Sequence, residues 1–259
     1  MLRKWAGSTA KKLFPQTWIK IWDIRRWLRE RSKQRWKRRL PVGWVRFGSL
    51  RRLQPIAPDF GWRWGQAIDR YYIEEFLSRH STDIRGRVLE IENNGYTCRF
   101  GGERVIQSDV LHATANNPNA TIIADLTHAE HIPSDTFDCI ILQQTLQFIY
   151  DVRAALKTLC RILKPGGVLL VTFHGISQIA RYDMDNWGEY WRFTTLSARR
   201  LFTEVFPEEC VTIKAHGNVL ATTAFLHGIV IEELRKEELA YHDPDYEMLI
   251  TVRAVKPQR

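Results

Sequence analysis

Acidic and amide side chains follow four short apolar runs in the middle of the chain. Glu90 closes VLE, Asp109 follows VIQS, Asp125 follows TIIA, and Gln143 and Gln144 follow CIIL. Apolar runs of this length, bounded by turn residues, are typical of strands buried on both faces of a parallel sheet. Open α/β sheets bind ligands at the carboxyl ends of such strands. The pattern therefore predicts a nucleotide-like ligand at one edge of a parallel sheet and favours an enzyme.

The spacing of two of these acids indicates a ribose contact. Asp109 stands 19 residues after Glu90, and an acid about 20 residues after the first strand hydrogen-bonds ribose hydroxyls in nucleotide-binding α/β folds. A carboxylate suits this task because it accepts two hydroxyl donors at once. We therefore predict that the second strand ends at Asp109 and that its carboxylate faces a ribose. The alternative is an aspartate that caps a loop or helix.

The elements that must position these side chains are read from apolar periodicity and turn residues. In chain order they are a leading helix over 66–80, a strand in 83–92, a short helix in 96–102, strands in 104–109, 120–126 and 137–144, a helix in 151–163, a strand in 168–173, a helix beginning near Thr195 or Ser197, and strands in 210–218 and 246–256.

The stretch from Ile132 to Thr172, IPSDTFDCIILQQTLQFIYDVRAALKTLCRILKPGGVLLVT, resembles a signature of the class I S-adenosylmethionine-dependent methyltransferases. The group it is most similar to methylates small molecules and glycans. The resemblance covers about residues 66–256. It implies a Rossmann-like, doubly wound sheet of seven mostly parallel strands, with the last strand antiparallel beside the fifth. A basic helical extension precedes this fold.

The resemblance also implies S-adenosylmethionine as the cofactor, held by the loop after the first strand. That loop in the family is similar to E/D-x-G-x-G-x-G, because glycines let the backbone approach the ligand and turn into the next helix. Here Glu90 matches the acid, Glu92 stands at the first glycine, and Gly95 is the glycine that remains. The Glu92 carboxylate either contacts the cationic side of the cofactor or blocks the pocket.

The remaining cofactor contacts implied by the resemblance come from the later strands. Asp109 is expected at the ribose, Asp125 at the adenine amino group with the Leu126 amide at the ring, and Gln143 near the methyl donor. For the two acids the alternative is again a cap, and for Gln143 the alternative is a polar residue that merely marks the strand exit.

The segment 174–195, HGISQIARYDMDNWGEYWRFTT, occupies the place of a substrate loop. The predicted acceptor contacts are Gln144, Trp187, Trp191 and Arg192. The two tryptophans, Arg192 and Tyr190 could stack on a sugar ring or an aromatic acceptor; the alternative is a lid packed on the sheet edge. An oxygen nucleophile requires a general base, and the catalytic candidates are His174, Asp183 and Tyr190. The histidines show no metal-ligand spacing, so no metal site is predicted.

Charge is distributed unevenly along the chain. Residues 1–53 carry 17 Lys and Arg against two acids, a net of +15; the remaining net of −6 gives the total of +9. We predict a basic, Trp-rich helical extension over 1–53, a linker and leading helix over 54–80, and a methyltransferase-like domain over 81–259. For the extension, residues 1–40 above all, we weigh an anionic membrane surface, nucleic acid and a solvated arm, with the membrane favoured.

The expected function is an S-adenosylmethionine-dependent methyltransferase that acts on a hydroxyl of a sugar, glycan or other small metabolite. One alternative is a nucleic-acid methyltransferase, although QQTL after the fourth strand does not resemble the Asn/Asp-Pro-Pro-Tyr/Phe motif of amino-methylating members. Another is a catalytically inactive adaptor at a membrane. With no secretory signal and no run near the ~20 apolar residues of a membrane span, a cytoplasmic location is expected, peripheral at the membrane if the extension binds there.

Overall fold

The computed structural model describes residues 43–258 of the 259-residue chain. The chain divides into two units, residues 1–52 and residues 53–259. The described part of the first unit contains one 3-10 turn, Gly48–Leu50. The predicted helix of the basic extension lies outside the described residues. The whole sheet belongs to the second unit.

Seven strands form one sheet within the described part of the second unit, in the order β3-β2-β1-β4-β5-β7-β6. Pairing is parallel from β3 to β5, and β7 is antiparallel to both β5 and β6. This order confirms the predicted fold class, including the antiparallel last strand beside the fifth. The strands are β1 Gly86–Ile91, β2 Val105–His112, β3 Ile122–Ile123, β4 Phe137–Gln143, β5 Leu163–His174, β6 Val211–His216 and β7 Leu249–Val255.

Helices cover both faces of the sheet, so the apolar residues form two buried clusters. The α-helices are α1 Ile68–Arg79, α2 Val152–Ile162, α3 Arg181–Trp187, α4 Thr195–Thr203, α5 Val219–Leu226 and α6 Lys236–Ala240. Buried residues of α2 and α4 pack in one cluster, and those of α1, α5 and α6 pack in the other. None of the helices within residues 43–258 combines the length and apolar character needed to cross a bilayer.

Helix boundaries follow from side-chain caps that the sequence already contains. The Asp151 side chain accepts a hydrogen bond from the Ala154 amide at 3.0 Å and begins α2. Thr194 and Ser197 form a capping box, so α4 begins at Thr195, as predicted. Such caps satisfy amide groups that have no partner within a helix.

Several strand boundaries differ from the sequence prediction; β5, for example, begins at Leu163 and not at Val168. The second strand does not end at Asp109: β2 continues to His112, and Asp109 lies opposite Leu89 of β1. A charged side chain is tolerated inside this strand because Arg87 of β1 pairs with it, with Nε to Oδ2 at 2.7 Å. The third strand is only Ile122–Ile123, since its pairing with β2 is confined to those residues.

His216, at the end of β6, is a buried neutral histidine with a consequence for stability. Its Nε2 lies 3.1 Å from Thr251 Oγ1, and its ring lies 5.2 Å from that of Tyr72. Burial, followed by the nearby charges of Lys214 and Arg79, lowers the pKa of His216 to about 3. The unfolded chain therefore binds a proton at a pH where the folded chain does not.

We expect this histidine to reduce the free energy of unfolding as the pH falls from 6.5 towards 3, by about 1.4 kcal/mol per pH unit. Urea unfolding curves across that range should show a shallower decline for His216→Gln than for the wild type. The exposed His131 provides the control: His131→Gln should keep the wild-type pH dependence. Equal slopes in wild type and His216→Gln would contradict the assignment.

Candidate active site

The candidate site lies where the carboxyl ends of β1, β4 and β5 meet the first turn of α1. The side chains of Glu90, Gln143 and His174 project from the sheet face that α1 and α5 cover, which follows from strand register and alternation. The first turn of α1 supplies Asp69 and Arg70 to the same place. Five polar groups thus converge at one edge of the sheet, where open α/β folds bind ligands.

Glu90 organises the turn that follows β1. The side chain is fully buried, and its carboxylate accepts hydrogen bonds from the Tyr96 amide at 3.2 Å and from the Thr97 amide and hydroxyl at 2.7 Å each. Burial raises the pKa of Glu90, while the hydrogen bonds from Thr97 and Tyr96 act against this rise. The predicted short helix is a π-helical turn, Thr97–Gly101, attached to the strand through this carboxylate.

Glu92 keeps the backbone course that a glycine would give. Its φ is +70°, in the left-handed region that non-glycine residues seldom adopt. The Glu92 amide donates to the Leu111 carbonyl at 3.0 Å, and its carbonyl accepts from Asn117 Nδ2 at 2.6 Å. The loss of the expected glycine therefore changes the side chain of the loop while its turn is retained.

Arg70 connects the loop after β1 to the end of β4. Its Nη1 donates to Tyr96 Oη at 3.0 Å and also to Gln143 Oε1. Burial acts to lower the pKa of Arg70, but the charge of Asp69 and the neighbouring Tyr96 and Glu92 raise it overall. Sequence analysis did not identify this residue; its one signal was a charged pair, Asp69-Arg70, at the start of a predicted helix.

His174 and Asp69 face each other as a buried imidazole–carboxylate pair. His174 Nε2 lies 3.4 Å from Asp69 Oδ2, and each residue is 7% exposed. The imidazole ring stacks on Phe60 at 6.4 Å and lies 5.4 Å from the ring of Phe225. The candidate base is thus held in one orientation, with a carboxylate that the sequence analysis did not connect to it.

Gln144 and Gln147 place unpaired polar atoms beside the end of β4. Gln144 has a φ of +46°, and its Oε1 accepts from Gln147 Nε2 at 2.9 Å. Gln144 Nε2 and Gln147 Oε1 are buried without a hydrogen-bond partner. Buried polar atoms without partners are uncommon in folded proteins and mark places where a ligand or a water belongs.

The segment after β5 packs over this edge. Trp187 of α3 contacts His112 edge-on, with ring centroids 5.6 Å apart. The Tyr190 amide donates to the Gln147 carbonyl at 2.8 Å. Trp191 Nε1 donates to the Ile149 carbonyl at 3.1 Å. The segment therefore has the packing of a lid while its aromatic rings stay about half exposed.

The contacts of the lid residues distinguish side chains that are exposed to a possible acceptor from side chains that hold the lid together. Trp187 and Tyr190 leave ring faces at the surface. The Arg192 guanidinium donates hydrogen bonds to Glu189 Oε1 at 2.7 Å and to the Gln178 carbonyl at 2.8 Å. These bonds give Arg192 a structural role within the lid. Burial, and then the charges of Glu92 and Glu189, raise the pKa of Asp183. Asp183 therefore lies close enough to Glu92, in the loop after β1, for the two charges to interact.

The two aspartates predicted at the adenosine have different surroundings. Asp109 lies three residues before the end of β2, and its carboxylate is taken by Arg87, by Gln107 Nε2 at 3.2 Å and by Thr121 Oγ1 at 3.2 Å. The expected position at the strand end is wrong for this residue. His112 stands there instead. Asp125 is exposed after β3 and holds a turn by accepting from the Thr127 amide and hydroxyl at 2.8 Å.

Comparison with known proteins finds a partial match to methyltransferases. Residues 94–171 match the family model described as a methyltransferase domain. Ubiquinone/menaquinone biosynthesis C-methyltransferase UbiE from Haemophilus ducreyi is 41% identical over 63 residues, 21% of this chain and 24% of that protein. The corresponding protein of Pasteurella multocida is 33% identical over 86 residues, 33% of this chain and 30% of that protein.

This likeness agrees with the resemblance to S-adenosylmethionine-dependent methyltransferases found in the sequence, and the match to the family model covers residues 94–171. The chain spans less than a third of the length of these two curated relatives. A putative sarcosine dimethylglycine methyltransferase from Galdieria sulphuraria has a similar fold, with a TM-score of 0.50 over 72% of this chain and 86% of that one at 13% identity. At that identity the likeness concerns the fold alone.

The residues at this edge of the sheet fit S-adenosylmethionine on the side of the reactive sulfonium. The left-handed turn at Glu92 is retained, and two side-chain atoms of Gln144 and Gln147 remain buried without partners. A carboxylate at Glu92 has the charge that suits a sulfonium or an ammonium group. On the ribose side the domain departs from the family, because His112 and not an acid ends β2.

We expect Asp109→Asn to lower the free energy of unfolding by about 1.5–3 kcal/mol, the contribution of hydrogen bonds to a charged group. Urea unfolding measures that loss, and calorimetric titration should show unchanged affinity for S-adenosylhomocysteine. The substitution Asp125→Asn, at an exposed site, provides the comparison for stability. Weaker S-adenosylhomocysteine binding by Asp109→Asn at unchanged stability would return Asp109 to the cofactor site.

Proposed function

We propose that this protein binds S-adenosylmethionine at the carboxyl edge of its sheet and transfers the methyl group to a hydroxyl of a sugar, glycan or other small metabolite. The proposal rests on two features that occur together at the candidate site: strained backbone, and buried polar atoms without a hydrogen-bond partner. Among residues 43–258, four non-glycine residues have a positive φ, and three of them (Phe60, Glu92 and Gln144) border the candidate site. Strained backbone of this kind is concentrated at functional sites.

The cofactor would be held mainly by the loop after β1. Glu90 fixes the loop, Glu92 and Gly95 face the methionine side, and Asp125 and Leu126 would meet the adenine beyond the short β3. Gln143, oriented by Arg70, would lie near the reacting methyl group. The bound cofactor supplies a methyl carbon that its sulfonium has already activated, so much of the rate enhancement can come from positioning.

The hydroxyl acceptor is proposed from the surroundings of the reacting edge. Gln144 Nε2 is a donor and Gln147 Oε1 an acceptor, and both lack partners, so together they would suit a group that donates and accepts at once, as a hydroxyl does. The rings of Trp187 and Tyr190 are amphipathic faces on which a sugar ring can stack. The curated relatives are C-methyltransferases, which supports methyl transfer and leaves the accepting atom as a proposal.

Calorimetric titration of S-adenosylmethionine and S-adenosylhomocysteine into the full chain tests the cofactor site. Binding should fall about tenfold or more in Glu90→Gln, because the amide presents N–H donors to the Tyr96 and Thr97 amides and loses charged hydrogen bonds. The exposed Glu103 is the matched control, and Glu103→Gln should bind as the wild type does. If the folded wild type binds neither compound, the inactive-adaptor alternative replaces this proposal.

We propose further that the basic extension, residues 1–40, binds an anionic membrane surface. Support comes from the net charge of +15 over residues 1–53 and from the tryptophan and isoleucine residues interspersed there. Each basic residue near an anionic leaflet contributes about 1 kcal/mol. Nucleic acid is the other polyanion that this composition suits. A binding assay with vesicles and with RNA distinguishes the two proposals.

In a sedimentation assay, the full chain should bind vesicles of phosphatidylcholine mixed with phosphatidylserine and not vesicles of phosphatidylcholine alone. Replacing Arg35, Lys37, Arg38 and Arg39 by Gln should weaken binding, at about 1 kcal/mol for each residue. The domain substitutions Arg199→Gln and Lys214→Gln should leave it unchanged. Equal binding to both vesicle types, or binding to RNA alone, would contradict the membrane proposal.

A further inference from the structure

The pairing of His174 with Asp69 determines which imidazole nitrogen is available for chemistry. Nε2 faces the Asp69 carboxylate and is otherwise buried without a hydrogen-bond partner, whereas Nδ1 is not among the buried polar atoms of the described residues that lack a partner. The Nε2–Oδ2 separation of 3.4 Å is long for a hydrogen bond. Such contacts are often long in ligand-free enzymes and shorten when the substrate binds.

The aromatic rings around His174 hold the plane of the imidazole. Phe60 stacks on it with an interplanar angle of 13°, and Phe225 lies 5.4 Å away and also stacks on Phe60. Phe60 has a φ of +60°, which the surrounding structure must maintain against the preference of a bulky residue. The backbone is therefore strained at the residue that fixes this ring.

Asp69 is held in place by its own helix. It lies in the first turn of α1, and its Oδ1 accepts from the Arg70 amide at 2.8 Å. Burial acts to raise the pKa of Asp69, but the hydrogen bond and charge of His174, and then the charge of Arg70, lower it overall. A negative side chain is also favourable at a helix N-terminus. The carboxylate is thus ionised at neutral pH.

We propose that Asp69 is a positioning residue that keeps the proton of neutral His174 on Nε2, so that Nδ1 is the atom that accepts the proton of the acceptor hydroxyl. This inference rests on the proposed methyl transfer. In that step the acceptor oxygen forms a bond to the methyl carbon, the carbon–sulfur bond breaks with its electron pair remaining on sulfur, and the hydroxyl proton goes to Nδ1. The resulting imidazolium is stabilised by the Asp69 carboxylate.

The other charged groups on the elements packed around His174 are already engaged. On α1, Arg70 bonds Tyr96 and Gln143. Beside Phe60, Asp59 pairs with Arg63 at 3.0 Å. Before β7, the Glu247 carboxylate accepts from Thr195. Helix α5 has no titratable side chain, as its sequence VLATTAFL shows, so Asp69 is the carboxylate that faces the imidazole.

The test is a long-range proton–nitrogen NMR spectrum of the full chain labelled with ¹⁵N at histidine, recorded with and without S-adenosylhomocysteine. The His174→Gln variant assigns the signals. The wild type should show a protonated Nε2 and an unprotonated Nδ1 at neutral pH. In Asp69→Asn, whose amide can donate to Nε2, a large fraction should shift to the opposite tautomer, as a carboxamide in the place of an orienting carboxylate does. His216, which contacts Thr251 and not Asp69, should not change.

A second measurement distinguishes a reactive Nδ1 from a purely structural contact between His174 and Asp69. Diethyl pyrocarbonate modifies unprotonated imidazole nitrogens, and mass spectrometry locates the adduct. His174 should react in the wild type and several-fold more slowly in Asp69→Asn, while the buried His216 stays unmodified in both. An unreactive His174, or a proton on Nδ1 in the wild-type spectrum, would overturn the proposal even if Asp69→Asn did not fold.

Calorimetry distinguishes failure of this inference from failure of the proposed function. The wild type should bind S-adenosylhomocysteine. Absence of S-adenosylhomocysteine binding in the wild type, with the expected tautomer present, would refute the methyl-transfer proposal. Normal binding together with a tautomer that does not depend on Asp69 would refute the positioning role alone.

Discussion

The buried carboxylate of Glu90 is the interaction on which the site depends. A fully buried charge is costly unless hydrogen bonds compensate for the lost hydration, and here the Tyr96 and Thr97 groups provide them. By drawing those amides to the end of β1, Glu90 sets the position of the Tyr96 side chain. Tyr96 then accepts a hydrogen bond from Arg70, which also holds Gln143 at the end of β4. One polar chain thereby connects β1, α1 and β4.

The same helix turn extends this chain to β5. Asp69, next to Arg70, reaches His174, so a single turn of α1 determines the orientation of polar groups on two neighbouring strands. Networks of this kind are rigid when their members are satisfied, because a low local dielectric strengthens each hydrogen bond. Among the described residues, the buried side-chain atoms without a hydrogen-bond partner lie on Gln144, Gln147, His174, Thr222 and His227, and those of Gln144 and Gln147 lie beside the end of β4.

Acidic and basic side chains lie close together at the opening of the site. Glu92 and Asp183 carry carboxyl groups that interact with each other and with Arg70, and Glu189 adds a further acid. Such an arrangement suits a cationic ligand group flanked by a neutral acceptor. It also explains why a loop with few glycines remains compatible with the family: the turn persists at Glu92, and the new side chain brings a charge of the sign that a sulfonium favours.

The sequence by itself predicted the seven strands and the end of β4 near Gln143, because apolar runs, caps and turn residues are local signals, and its resemblance to a known family implied the mostly parallel sheet with the last strand antiparallel beside the fifth. It placed Asp109 wrongly, since the end of a strand depends on what the neighbouring strand offers, and Arg87 allows an acid inside β2. Only the tertiary structure joined Asp69 to His174 and Arg70 to Gln143, pairs separated by more than seventy residues. Contacts across such distances leave no periodicity in the chain, and they arise only when helices and strands pack.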